Sequence, residues 1–145
     1  MTGRGGNGVG RFSVAIEVVN NADLIRVQDG HLPPDQVRRE TIQALVDSGA
    51  TKLVLPEALV KRLALPLGDP VNVRYADGRR VRRKGVDQVH VQLLGRHGIF
   101  SAICEPKRET ALMGAIVLED LDLLVDCASQ RLVPRDPAGA TYEIE

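Results

Sequence analysis

The residues best placed to do chemistry lie in one stretch, Ala44-Leu45-Val46-Asp47-Ser48-Gly49-Ala50-Thr51. Leu45 and Val46 are strand formers suited to a buried sheet, and Gly49 permits a sharp turn where a side chain would clash. Asp47 is therefore expected at the end of a buried strand, where a lone carboxylate is costly unless paired or hydrogen-bonded. Ser48 sets a short hydroxyl beside it that can satisfy backbone groups. On these letters alone, a strand running into an Asp-Ser-Gly turn is an ordinary arrangement.

The elements that must position Asp47 follow from the alternation of apolar residues. Phe12, Val14, Ile16 and Val18 fall on one face of a strand over Arg11–Val19. Asn20-Asn21-Ala22-Asp23 reads as a turn, and Leu24–Val27 as a second short strand returning antiparallel. Gln28–Gln36, with Gly30, Pro33 and Pro34, reads as an exposed loop, and Val37–Val46 as the strand that delivers Asp47. Leu53-Val54-Leu55 is a short buried strand. A packing helix follows over Glu57–Leu63, with Pro56 suited to its first position and Lys61 and Arg62 to its negative end. Val71–Tyr75 and Arg80–Arg83 flank Ala76-Asp77-Gly78-Arg79, a hairpin signal. Val86–Leu93 alternates again, Gly95-Arg96-His97-Gly98 turns the chain, and Ile99–Cys104 returns. Ala115–Asp120 reads as a short helix, Leu121–Val125 as a strand, Cys127–Gln130 as a turn and Arg131–Pro134 as a last core strand.

Other chemistry-bearing residues find no partners in the sequence. His31 sits alone in a loop, and His90 and His97 have no metal-ligand spacing with each other or with Cys104 and Cys127, so no metal is expected. The two cysteines form no framework, and reduced thiols are the default. Asp120, Asp122 and Asp126 suit a helix end and strand turns better than catalysis. The glycines of Met1–Gly10 lack the strand and helix a dinucleotide loop needs and read as a flexible tail. Arg74, Arg79, Arg80, Arg82, Arg83 and Lys84 crowd the hairpin. They read first as a charged edge that resists aggregation, then as a preference for acidic substrates, and last as a phosphate contact. With only Tyr75 nearby to stack on bases, nucleic acid is not an expected partner.

Composition sets bounds around this reading. A chain of 145 residues is one domain by length. Nineteen basic and nineteen acidic residues cancel, so no global field points to nucleic acid or membrane. With no Trp, two Phe and two Tyr, the core must be aliphatic. Glu17 interrupts the first apolar run, no leader is evident, and no stretch is long enough to span a bilayer. A soluble cytoplasmic protein is the simplest expectation.

Leu45-Val46-Asp47-Ser48-Gly49-Ala50, the following Thr51-Lys52-Leu53-Val54-Leu55-Pro56, and the distant Leu112-Met113-Gly114 together resemble the retropepsin-like aspartic proteases, specifically the small single-lobed bacterial members. The likeness spans roughly residues 37 to 134. It implies a mainly β fold, a closed acid-protease barrel with one or two short helices and one lobe per chain. The expected plan is a flexible tail over 1–10, the protease domain over 11–134, and an extension over 135–145 that is a candidate interface strand. By the resemblance Asp47 is catalytic, Ser48, Gly49, Ala50 and Thr51 form the active-site loop and groove, and Tyr75, Ala76, Asp77 and Gly78 form a flap. Leu112, Met113 and Gly114 form the second structural element beside the site. One departure is Ala115, where viral members usually carry an Arg that supports the dimer.

Because the Asp-Ser-Gly signature occurs once, the resemblance implies a homodimer with one Asp47 from each chain, acting on a peptide or protein without cofactor or metal. The rival reading is a catalytically weak or inactive module of the same fold that dimerises or binds peptides. A basic-hairpin adaptor for acidic or nucleic-acid partners ranks third.

Overall fold

Alternation from Arg11 onward produces strand β1 (Arg11–Asn20), with Ile16 and Val18 turned fully inward. The computed structural model describes residues 11–145, so the tail expected over 1–10 lies outside the described residues. β1 pairs antiparallel with β2 (Arg39–Asp47), Arg11 standing opposite Asp47. β3 (Leu53–Pro56), β4 (Leu67–Arg74), β5 (Arg80–Leu93), β6 (Arg96–Glu105) and β7 (Ala111–Met113) complete one sheet in the order β1-β2-β7-β3-β6-β5-β4. The last residues of β1 also pair with β5, Val18 against Val91 and Asn20 against Val89. That second pairing closes β1-β2-β7-β3-β6-β5 into a six-strand barrel, with β4 added to the outside of β5. β8 (Leu123–Asp126) and β9 (Arg131–Pro134) form a separate antiparallel pair.

The barrel interior is aliphatic, as the composition requires. Ile16, Val18, Val46, Leu53, Leu55, Val86, Val89, Val91 and Met113 are almost wholly buried. Each such side chain contributes about 1.5–3 kcal/mol of transfer free energy. Helix α2 (Glu57–Arg62) seats Leu59 and Val60 on this core, and α3 (Ala115–Asp120) seats Val117 and Leu118. No described helix is long and apolar enough to cross a membrane.

Several element boundaries differ from the sequence reading. Leu24–Val27 is not a strand but part of helix α1 (Asn21–Gln28). The residues read as a turn are its start: Asn20 is the N-cap, and its side-chain oxygen accepts the Asp23 N–H at 3.1 Å. Asp23, buried in the first turn, accepts from Arg38 Nε at 2.9 Å, Arg38 Nη2 at 2.8 Å and the Arg38 N–H at 3.0 Å. Arg38, foremost through its side-chain hydrogen bonds, holds that carboxyl below the usual carboxylate range against the opposing effect of burial.

The turn expected at Gly95–Gly98 is shorter, with Leu94 and Gly95 both at positive φ between paired Leu93 and Arg96. The hairpin arm at Arg80 and the strand at Val86 are one long β5, kinked by an irregularity between Val86 and Val89. The strand expected from Leu121 begins at Leu123 instead, because Leu121 caps α3 and Asp122 takes a positive φ.

Candidate active site

Asp47 ends β2, one residue beyond Val46, which is fully buried. Its carbonyl accepts the Ala50 N–H at 3.1 Å, and its Oδ1 accepts the Gly49 N–H at 3.0 Å. Thus the loop Asp47–Ala50 is closed on its own aspartate. A Cβ at Gly49 would stand 3.2 Å from that same Oδ1, a tight contact from which the carboxylate would have to shift by a few tenths of an ångström. The Asp47 side chain is 15% exposed.

The second sequence element reaches this loop through strand pairing. β7 runs parallel to β2, placing Leu112 beside Leu45 and Met113 beside Val46. Gly114 then packs directly on the loop, where a Cβ would meet the Thr51 carbonyl carbon at 2.6 Å and the Lys52 oxygen at 2.7 Å. The first amides of α3 complete the clasp, with Ala115 N–H donating to Ala50 O at 2.8 Å and Ile116 N–H to Thr51 O at 3.0 Å. Two segments far apart in sequence are therefore joined, backbone to backbone, at the loop that carries Asp47.

A chain that carries Asp-Ser-Gly on such a loop, clasped by a Gly-ended strand, within a six-strand barrel, can be compared with known proteins. The model of the family described as "gag-polyprotein putative aspartyl protease" matches residues 36–120, more than half of the sequence. The chain belongs to this family. Among solved structures, the EIAV protease complexed with the inhibitor HBY-793 shares the fold with a TM-score of 0.52 and 19% identity, covering 79% of this chain and 91% of that one. No curated protein matches.

Within this member of the retropepsin-like aspartyl protease family, the expected site residues fall in two places. Asp47, Ser48, Gly49, Ala50 and Thr51 meet Leu112, Met113 and Gly114 at the clasped loop. Tyr75, Ala76, Asp77 and Gly78 lie at the β4–β5 turn, closed by Tyr75 N–H on Arg79 O and Gly78 N–H on Tyr75 O, both at 2.9 Å. Gly78 adopts φ +87, which a side chain would strain. Tyr75 anchors this hairpin to the end of β6, its hydroxyl donating to Glu105 Oε2 at 2.7 Å while Arg83 Nε donates to Glu105 Oε1 at 2.7 Å.

Three groups at the site escaped the sequence reading. Arg11 lies opposite Asp47, with Nη2 3.1 Å from Asp47 Oδ2. Its only signal was its place at the head of an alternating strand. An outward apolar row crosses the barrel from Leu45 through Leu112 and Val54 to Ile103, neighbours in register and half-buried. Leu45 stood in the signature and Leu112 was expected beside the site; what escaped was the row joining them to Val54 and Ile103, which exists only once the strands pair. Glu105 was the third, at the end of β6 just before the turn at Pro106 and Lys107, a stretch to which the sequence reading assigned no element.

The remaining aspartates serve the structure. Asp122 is 3% exposed and lies between Arg135 Nε at 2.5 Å and Arg96 Nη1 at 3.7 Å. The Thr141 N–H, foremost, then Arg135 and Arg96 hold its carboxyl below the usual carboxylate range, with burial opposing them. Residues 135–145 are thereby folded back on the α3–β8 turn, and Tyr142 donates its hydroxyl to Asp120 O. Asp126 accepts the Ala128 and Ser129 amides in the β8–β9 turn. Cys104 is buried and Cys127 exposed, both as free thiols. Among the described residues, no group of three or more His, Cys, Asp or Glu side chains is set to hold a metal ion.

Proposed function

We propose that this chain is an aspartic endopeptidase whose site forms when two copies bring their Asp47 loops together. The observation that carries the reading is the single Asp47 loop, closed on its own carboxylate and clasped by Gly114, Ala115 and Ile116. The backbone engages Oδ1, Oδ2 meets the exposed Arg11 side chain, and one such loop per chain calls for two chains per site.

In the paired site one carboxylate takes a proton from water as its oxygen attacks the scissile carbonyl carbon. The other, protonated, donates a hydrogen bond to the carbonyl oxygen and stabilises the charge that develops there. Collapse of the tetrahedral intermediate breaks the C–N bond as the departing nitrogen is protonated. Ser48 braces the two loops across the axis, Ala50 and Thr51 line the groove, and the row Leu45, Leu112, Val54 and Ile103 forms its apolar floor. The peptide binds extended, as an added strand. Tyr75–Gly78 is the lid, and Gly78 lets its backbone approach the peptide. The extension 135–145 is the candidate interface segment.

Incubation with a diverse peptide pool tests this reading. The parent protein cleaves and Asp47→Asn does not, while Asp47→Asn keeps its fold and its dimer. Full activity in a clean Asp47→Asn preparation overturns the assignment.

One observation favours the alternative, a dimerising or peptide-binding module without efficient cleavage. In the single chain the Arg11 guanidinium neutralises Asp47. The same pool decides: peptide capture without products, in the parent and in Arg11→Gln alike, returns the binding module to first place.

A further inference from the structure

Beside the β4–β5 turn lies a pocket of about 480 Å³ lined by Tyr75, Arg79, Arg83, Glu105, Lys107 and Arg108. Four cations face one carboxylate there, and that carboxylate is already occupied. Glu105 takes the Tyr75 hydroxyl on one oxygen and Arg83 Nε on the other, each at 2.7 Å. Two of the other cations are positioned without being neutralised. Arg79 lies over the Tyr75 ring, its guanidinium carbon 4.5 Å from the centroid, and its contact with exposed Asp77 is a marginal 4.0 Å. Arg108 is set by its own backbone, Nε donating to Thr110 O at 2.7 Å. A guanidinium held by an aromatic face or a carbonyl keeps its charge and its remaining N–H groups for an anion.

The pocket also stands in register with the apolar row. Ile103 ends that row, and Glu105 follows two residues on, on the same face of β6. Gly85, opposite Ile103, is likewise two residues from Arg83 on β5. Two strand residues span about 6.6 Å, which is the spacing of same-face side chains in an extended peptide. That step runs along β6, across the line of the row, so the pocket flanks the Ile103 end and lies within reach of a side chain next to one seated on Ile103. We propose that the pocket is a subsite for an acidic side chain, so that the protein selects extended peptides in which Glu or Asp flanks an apolar segment. Carboxylates suit it because planar guanidinium forks bind them bidentately. The inference rests on the reading of the row as a peptide groove, and it names the class of peptide.

The test uses binding, so that it stands apart from catalysis. The full-length Asp47→Asn protein is titrated by fluorescence anisotropy with labelled peptides carrying an apolar segment and either Glu or Gln at each flanking position in turn. At one position the Glu peptide is expected to bind about ten-fold more tightly than its Gln counterpart, with a preference that weakens as salt rises. In Arg79→Gln/Arg108→Gln, both changes lying on the surface, the preference disappears while the Gln peptide binds as before. Lysine at both positions retains part of the preference.

Equal binding of Glu and Gln peptides at every position, no binding of either, or a preference that survives the double glutamine variant overturns the subsite. A Glu preference in a protein that never cleaves overturns the protease reading and leaves the subsite standing. Cleavage by the parent protein without any Glu preference does the reverse.

Discussion

His90 holds a ring nitrogen where water does not reach it. Its Nδ1 is buried without a partner, and its ring stacks on His97 with centroids 5.2 Å apart. Burial first, then the neighbouring His97, push its pKa below the ordinary 6.5, with Arg39 adding to the effect and Glu17 opposing it. The unfolded chain therefore binds a proton at His90 more readily than the folded one. Stability is undiminished above about pH 6.5 and falls as pH drops from there to the depressed folded value. Urea midpoints should decline across that window and decline less in His90→Gln; identical slopes contradict the argument. Asp122 acts lower on the scale. Its carboxyl is held below 3.8, so its contribution persists above the usual carboxylate range and is lost only as pH falls through the lowered value.

Two elements carry the candidate site, and each has one residue on which its placement turns. At the clasp, Gly114 lies against the backbone of Thr51 and Lys52, with no flexible side chain able to give way. Gly114→Ala should cost about 1–3 kcal/mol by overpacking and shift the Asp47 loop, lowering cleavage far more than the loss of stability explains. Wild-type cleavage in a folded Gly114→Ala protein would show that the loop tolerates displacement. At the hairpin, the Tyr75 hydroxyl ties the turn to β6 through Glu105. Tyr75→Phe removes that bond at a cost of about 1 kcal/mol and should speed hydrogen exchange over 75–79 while leaving the barrel amides slow. Unchanged exchange there would place the anchor elsewhere.

At the scale of the molecule, barrel closure decides what is left to bind. Pairing of β1 with both β2 and β5 uses up the edges of the ring, and β4 alone remains on the outside. In the proposed two-chain site, the Asp47 loop at one end of this closed unit supplies one of the two carboxyls. Specific activity should therefore fall about two-fold with each two-fold dilution once the chains dissociate. Sedimentation across the same concentrations should show the dimer giving way to monomer. A protein that cleaves at constant specific activity while monomeric contradicts the two-chain site.

What the amino-acid sequence determined by itself was local. Period-two alternation placed β1 and the main strands, Pro56 and Glu57 placed the start of α2, and Asp77-Gly78 placed the hairpin turn, because each signal acts between residues close along the chain. The Asp47 loop and the Leu112-Met113-Gly114 strand were legible as two motifs through the resemblance to the retropepsin-like family. Asn20 to Asp23 misled, since a turn and a capped helix start use the same short polar residues. Tertiary structure alone decided that β7 lies parallel to β2, that β1 closes the ring on β5, and that Arg11 faces Asp47. It also decided that Asp122 is buried between Arg96 and Arg135 rather than exposed at a turn. These contacts join segments distant in sequence, and their energy comes from burial and charge pairing that no single stretch contains. Alternation shows which residues share a face of a strand; only the closed barrel shows which strands that face will meet.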